Sequence, residues 1–366
     1  MSADSQVDNF IHGGNVHAWA REHGGSLTSI LDYSANINPL GLADSVREAI
    51  TQAMDHVIHY PDARAVALKA AISNYYQVDV EQITAGNGAV ELLYVLTNTL
   101  RPKRVLIPAP AFSEYERAAR AAGAEIEYAY LLPENNFAVD VSLITRRFNA
   151  VDMVFIGNPN NPTGTLLTNR QLECVLAEAR KTGVMVVVDE SFMDFIVGDQ
   201  AYTCRPLLKQ YNNLVVLHSL TKFYAIPGLR LGFALCAPEL ADRLHAAKDP
   251  WNVNLLAQAA GVAALADKEY QLRGRELINL EKNLLYASLK TLPGLKPFSP
   301  SVNYILIDIS GTGRTAGMLR QQLGQHNILI RDCGNYPGLS PYYMRVAVKL
   351  PGQNKILLNV LDQVLR

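Results

Sequence analysis

The sequence predicts an α/β protein, a mainly parallel sheet covered by helices with a smaller α/β domain beside it. Three observations predict this. Between Ile83 and Ile156, strand-like apolar runs alternate with helix candidates, the pattern of a parallel sheet with helical crossovers. The motifs richest in chemistry each follow an apolar run, which places them at strand carboxyl ends, where open α/β sheets bind ligands. A chain of 366 residues with 49% hydrophobic side chains exceeds one ordinary core and can fill two.

Composition excludes some classes. A formal net charge of -1 leaves no electrostatic case for nucleic acid or an anionic membrane as partner. The first residues are polar, with Asp4 and Asp8 and no apolar run before His12, so no signal peptide is read there. Later apolar stretches are broken by charge or glycine before they could span a bilayer. A soluble, cytoplasmic protein is expected. Cys174, Cys204, Cys236 and Cys333 stand far apart and are read as buried small hydrophobes in a reducing compartment. His12, His17 and His23 cluster near the start, but no pair has helical i, i+4 spacing, and no metal is expected.

In chain order, Gly13-Gly14 and a short helix candidate from Val16 to Glu22 open an arm that would ordinarily be a disordered tail. Ser34-Ala35-Asn36-Ile37-Asn38-Pro39 is turn chemistry. Leu42 to Met54 has helical periodicity, with Asp44 and Ser45 as cap candidates. The turn Tyr60-Pro61-Asp62 follows, then a helix from Ala65 to Tyr76. Ile83 to Glu91 reads as a strand, a glycine turn and the start of a helix running to Leu100. The unpaired N–H groups of that helix start, at Gly88 and Ala89, suit an anion. Arg104 to Phe112 is a strand and loop in which Phe112 could stack on an aromatic ring or simply fill the core. A helix from Ser113 to Ala122 and strands at 125–130 and 151–156 continue the alternation.

The next three motifs carry the chemistry. Asn158-Pro159-Asn160-Asn161-Pro162-Thr163-Gly164 follows one apolar run, and Val186-Val187-Val188 ends in Asp189. Leu214 to Leu217 delivers Ser219, Lys222 and Arg230 into a turn rich in proline and glycine. Two cations and a hydroxyl at a strand end suit a phosphate. A lysine whose pKa is lowered by burial and positive neighbours can form a Schiff base. Acid, asparagine and lysine at successive strand ends are the parts that a pyridoxal phosphate site needs. Beyond them, Trp251 to Ala266 reads as a long apolar helix starting the bridge between domains, and Arg273 to Leu289 as amphipathic. Strands at 302–308 and 343–348, with Ile328 to Arg331 as a further edge and a closing helix from Gln353 to Leu365, form the smaller domain.

The order N-P-N-N-P-T-G, V-V-V-D-E and S-L-T-K-x-x-x-I-P-G-L-R-L-G resembles the fold-type I pyridoxal phosphate enzymes of the aspartate aminotransferase superfamily. Within them, His12-Gly13-Gly14-Asn15 and the stretch Asp32 to Gly41 resemble the threonine-phosphate decarboxylases of cobalamin biosynthesis, near relatives of the histidinol-phosphate aminotransferases. The likeness runs from about His12 to the C-terminus. It implies a Schiff-base lysine at Lys222, Asp189 on the pyridine nitrogen, Asn161 on the phenolic oxygen, and Gly88, Ala89, Ser219 and Arg230 on the cofactor phosphate. It further implies that Phe112 stacks on the ring and that Tyr60 reaches the cofactor of a second subunit in a homodimer. His12, Gly13, Asn36, Asn161, Arg331 and Arg345 would bind a phosphorylated amino-acid substrate. The domains expected are an N-terminal arm with part of the small domain (1–41), a large cofactor-binding domain (42–265) and a small C-terminal domain (266–366).

Three functions compete. The first is a lyase that decarboxylates L-threonine O-3-phosphate, the second a histidinol-phosphate aminotransferase, and the third a cofactor-binding protein without chemistry. Lys222 and Asp189, kept with all the phosphate donors, argue against the third. Transaminases of this type carry tyrosine three residues after the cofactor-pairing aspartate, where this chain has Phe192. With the N-terminal motifs, that favours the decarboxylase.

Overall fold

The structure is a computed structural model, and it describes residues 12–23 and 26–366. The expected arm is therefore seen from His12 onward, its earlier part lying outside the described residues, as does the side chain of His23. The arm forms a helix at Val16–His23 and a short strand, β1 (Leu31–Asp32).

Seven strands then build the main sheet: β2 (Ile83–Gly86), β3 (Arg104–Ala109), β4 (Glu125–Tyr130), β5 (Met153–Gly157), β6 (Met185–Asp189), β7 (Leu214–Ser219) and β8 (Gly232–Leu235). Their spatial order is β2-β8-β7-β6-β5-β3-β4. Pairs among β7, β6, β5, β3 and β4 are parallel, and β8 lies antiparallel to both β2 and β7. The central strands are apolar on both faces because helices cover both sides, so Val186, Val187, Val188 and all of Leu214–Leu217 are fully buried. Parallel direction has one decisive consequence. Gly86, Ala109, Gly157, Asp189 and Ser219 all end at the same edge. The antiparallel return of β8, which pairs Gly232 with Ser219, carries Arg230 back to that edge too.

The C-terminal part holds β9 (Lys296–Pro297), β10 (Tyr304–Asp308), β11 (Ile328–Leu329), β12 (Arg331–Asp332) and β13 (Tyr343–Ala347). Four of them form a sheet in the order β12-β13-β10-β9, whereas β11 pairs in parallel with β1. The stretch Ile328 to Arg331, expected as one edge, is thus split between two sheets at Ile330. Leu329 is held by the arm, its carbonyl accepting from Tyr33 N–H at 2.7 Å, and Arg331 pairs with Arg345.

Helix boundaries depart from expectation where capping decides them. The helix expected from Trp251 begins at Leu255, because Asn254 Oδ1 accepts from Ala257 N–H at 2.8 Å and ends the preceding turn. The next helix starts at Lys268, five residues before Arg273, capped by Asp267, whose carboxylate accepts from Tyr270 N–H at 2.9 Å. Neither Asp44 nor Ser45 caps the helix Asp44–Ala53. Ser45 instead donates to Asp267 at 2.5 Å, tying two helices together. The helix expected from Ala65 runs Val66–Tyr76, with Ala65 left-handed at φ 45°. Cys204, Cys236 and Cys333 are buried as expected, but Cys174 is exposed on the helix Asn169–Thr182. Among the described residues no helix is long and apolar enough to cross a membrane, and no cluster of His, Cys, Asp and Glu could hold a metal ion.

Gly232 is where β8 meets the glycine turn after β2. A Cβ there would stand 2.5 Å from Ala89 N and 2.7 Å from His218 O, both main-chain atoms that cannot swing aside. Gly232→Ala is expected to cost about 1–3 kcal/mol of stability by overpacking, seen as a lower urea midpoint at unchanged slope.

Candidate active site

A cavity of about 440 Å³ opens at the carboxyl edge of the main sheet. One end is a cup of hydrogen-bond donors from three segments. Gly88 precedes the helix Ala89–Leu100 at φ 85° with no side-chain cap, so first-turn N–H groups face outward with the positive end of the helix dipole. Gly88 also leaves the space that the Arg230 guanidinium fills, since a Cβ there would collide with Nη2. Ser219 and Thr221, both buried, share a hydroxyl hydrogen bond of 2.7 Å beside it. The cup suits a phosphate in size and donor type.

Next to the cup stand an acid and an amine. Asp189, buried at the end of β6, accepts from Tyr115 O–H at 2.7 Å and from Ser191 N–H at 2.9 Å. Burial and the adjacent Asp189 carboxylate push the Tyr115 phenol far up, so it stays a donor. The Lys222 amine lines the cavity with no hydrogen-bond partner among the described residues. Its pKa is pushed down to about 8, by burial first and then by the Arg230 and Arg345 charges, against the opposing pull of Asp189. Phe112 and Phe192 supply apolar wall, Phe192 lying edge-on to Tyr304 at 5.0 Å.

The other end faces the arm and the C-terminal sheet. Arg345 is buried on β13, with Nη1 bonded to Asn161 Oδ1 and Nη2 donating to Ser34 O at 2.8 Å. Among the described residues its Nε has no hydrogen-bond partner, and neither does the buried Oδ1 of Asn36 on the cavity wall. Gly13 and His12 close the mouth, the His12 ring 5.9 Å from that of Phe112 and its Nε2 bonded to Glu114 Oε1 at 2.7 Å.

Most of the residues singled out from sequence therefore meet around one cavity: His12, Gly13, Asn36, Ala89, Phe112, Asn161, Asp189, Ser219, Lys222, Arg230 and Arg345 line it. Gly88 lies behind Arg230. Two residues do not reach it. Arg331 is buried behind Tyr336, over whose ring it sits at 5.1 Å, donating to Asp332 O at 2.6 Å and to Asn335 Oδ1 at 2.8 Å. Tyr60 is 77% exposed and stacks on Trp251, with ring centroids 4.5 Å apart. Sequence reasoning missed Tyr115, Thr221, Glu114, Arg117 and Tyr336. Nearness in sequence offered one signal, because Tyr115 stands three residues after Phe112; nothing in the pattern around Tyr336 marks it.

This arrangement has known relatives. Residues 28–361 match the family described as aminotransferase class I and II. The chain belongs to that family. It is 37% identical to a threonine-phosphate decarboxylase from Salmonella typhimurium over 98% of this chain and 97% of that protein. Among solved structures, a histidinol-phosphate aminotransferase from Clostridium acetobutylicum matches with a TM-score of 0.86 at 32% identity, covering 92% of this chain and 99% of that one. An L-threonine-O-3-phosphate decarboxylase from Porphyromonas gingivalis matches with a TM-score of 0.80 at 27% identity over the same shares. The fold of this family member is accordingly fold-type I, and pyridoxal 5′-phosphate is the family's cofactor. The residues present fit it. Among the described residues the Lys222 amine has no hydrogen-bond partner; it stands beside the donor cup in which Arg230 fills the space that the missing Cβ of Gly88 leaves, and a buried, hydrogen-bonded acid lies next to both.

Since only the neutral amine attacks an aldehyde, borohydride labelling of the apoprotein by pyridoxal, which lacks the phosphate, is expected to rise with pH at Lys222 and level off above about 8. Arg230→Met removes a charge that lowers the Lys222 pKa, so the midpoint is expected at higher pH. Peptide mapping across a pH series checks both.

Proposed function

We propose that the protein is a pyridoxal phosphate-dependent carboxy-lyase that converts L-threonine O-3-phosphate to (R)-1-amino-2-propanol O-2-phosphate, the aminopropanol unit of the cobalamin nucleotide loop. Phe192 carries the choice of reaction. It lines the cavity three residues after Asp189, where the family's transaminases would place a tyrosine hydroxyl. The full-length likeness to the Salmonella decarboxylase supports the same reading.

Pyridoxal phosphate bound here supplies an electron sink for the charge left when a bond at the substrate α-carbon breaks. The chain's own residues do the rest. Gly88, Ala89, Ser219, Thr221 and Arg230 hold the cofactor phosphate, and Lys222 supplies the amine that tethers the aldehyde carbon. Asp189, fixed by Tyr115 and Ser191, is the carboxylate for the pyridine nitrogen, Phe112 packs on the ring, and Asn161 serves the phenolic oxygen. Arg345, with Asn161, faces the substrate carboxylate, while His12, Gly13, Asn36 and Arg331 serve the substrate phosphate. Arg331 would have to turn out from behind Tyr336 to do so. Anchoring both ends of the substrate determines which α-carbon bond is aligned to break, and so favours loss of carbon dioxide over loss of a proton. Lys222 Nζ, with a pKa pushed down to about 8, is suited to deliver the proton that replaces the carboxylate.

A second reading, histidinol-phosphate aminotransferase, is favoured by the higher fold likeness, a TM-score of 0.86 against 0.80. Side-by-side assay separates the two. Carbon dioxide is expected from threonine phosphate, little from threonine, and no glutamate from 2-oxoglutarate with histidinol phosphate. Amino transfer without decarboxylation would select the second reading. Lys222→Ala is expected to abolish turnover while the circular dichroism spectrum shows the fold intact, because no amine remains to capture the cofactor covalently.

The proposal includes a cytoplasmic homodimer with the large domain at 42–265 and the small domain formed by 266–366 with the arm. Exposed Ile58, Tyr60 and Val66, at 80%, 77% and 62%, support a covered face there. With Tyr60 acting on the partner's cofactor, mixing inactive Tyr60→Ala and Lys222→Ala subunits should restore about a quarter of wild-type activity, since half the dimers are mixed and each holds one intact site. A mixture that stays inactive would place Tyr60 in its own subunit's site or in none.

A further inference from the structure

Glu114 is a carboxylate at the mouth of a cavity proposed to take a substrate with two anionic groups. It is only 5% exposed and begins the helix Glu114–Ala121, where the helix dipole favours an acid. Its hydrogen bonds among the described residues nevertheless go to side chains: Oε1 accepts from His12 Nε2 at 2.7 Å and Arg117 Nη1 at 3.0 Å, and Oε2 from Tyr94 O–H at 3.3 Å. Those donors come from the arm, from its own helix and from the helix Ala89–Leu100. The same cavity is lined by Lys222, Arg230, Arg345 and Asp189. Burial raises the Glu114 carboxyl, but His12 and Arg117 outweigh it and hold it below the ordinary carboxylate range. With both oxygens occupied, the acid does not oppose an incoming anion. It keeps His12 and Arg117 at the mouth.

We propose that Glu114 is a positioning residue that holds the His12 imidazole and the Arg117 guanidinium at the cavity mouth to receive the phosphate of the substrate. The proposal rests on the reading of the substrate as a phosphorylated amino acid. His12 depends on this contact for its aim, since the rest of the arm is fastened elsewhere, by Gly14 N–H on Ser34 Oγ at 2.7 Å and by buried Trp19 against Gly324. Loss of the Glu114 charge therefore re-aims His12 without releasing the arm.

The test compares Glu114→Gln with wild-type holoenzyme, because glutamine keeps the size and an acceptor oxygen but not the charge. With threonine phosphate, KM is expected to rise about tenfold or more, the scale of one lost charge-assisted contact, while kcat stays within about threefold. Unphosphorylated threonine should be handled as poorly as by wild type, and the melting temperature should be retained. A wild-type preference for the phosphorylated substrate that persists unchanged in Glu114→Gln, with KM within about threefold of wild type, overturns this proposal alone. A wild type with no such preference overturns the substrate reading and this inference together.

Discussion

The return of β8 against β7 is the contact on which the site depends. Parallel strands deliver Asp189 and Ser219 to one edge, but a further parallel strand would have carried Arg230 to the opposite one. Antiparallel pairing of Gly232 with Ser219 sets Arg230 beside the Gly88 turn, its guanidinium in the space that the missing Cβ of Gly88 leaves. The donor cup is therefore a property of sheet topology, and glycine at 232 and 88 is the steric condition for it.

That topology also sets the electrostatics. Arg230 and Arg345 approach Lys222 from different parts of the fold, and their charges add to burial in pushing its proton off. A lysine in water would be almost wholly protonated at neutral pH and a poor nucleophile. Asp189 has the converse surroundings, with two donors on its oxygens and a phenol whose own ionisation that same carboxylate suppresses. Acid and amine lie at neighbouring strand ends, and the Asp189 charge opposes the shift that Arg230 and Arg345 impose on Lys222.

Much of the fold was legible because its signals are local. Valine-rich runs and glycine turns state strands and their ends, and the strands at 83–86, 104–109 and 125–130 stand where periodicity puts them. Boundaries failed where a single cap decides them: Asn254 ends a turn that composition reads as helix, and Asp267 starts a helix five residues before its amphipathic pattern is plain. Ile328 to Arg331 failed for another reason. Nothing in those residues tells that Leu329 will bond the arm and Arg331 the strand of Arg345, partners roughly 300 and 14 positions away.

The sequence by itself determined the chemical inventory, since lysine, acid, asparagine and the basic turn follow apolar runs whose strand character is local. It also determined the family, through the spacing of those motifs. Tertiary structure alone decided that Tyr115 holds Asp189, that Arg345 joins Asn161 while Arg331 turns behind Tyr336, and that Glu114 engages His12 across 102 residues. The reason is physical. A side chain's type and period are written within a few residues, whereas its partners depend on which surfaces the sheet order and helix packing bring together.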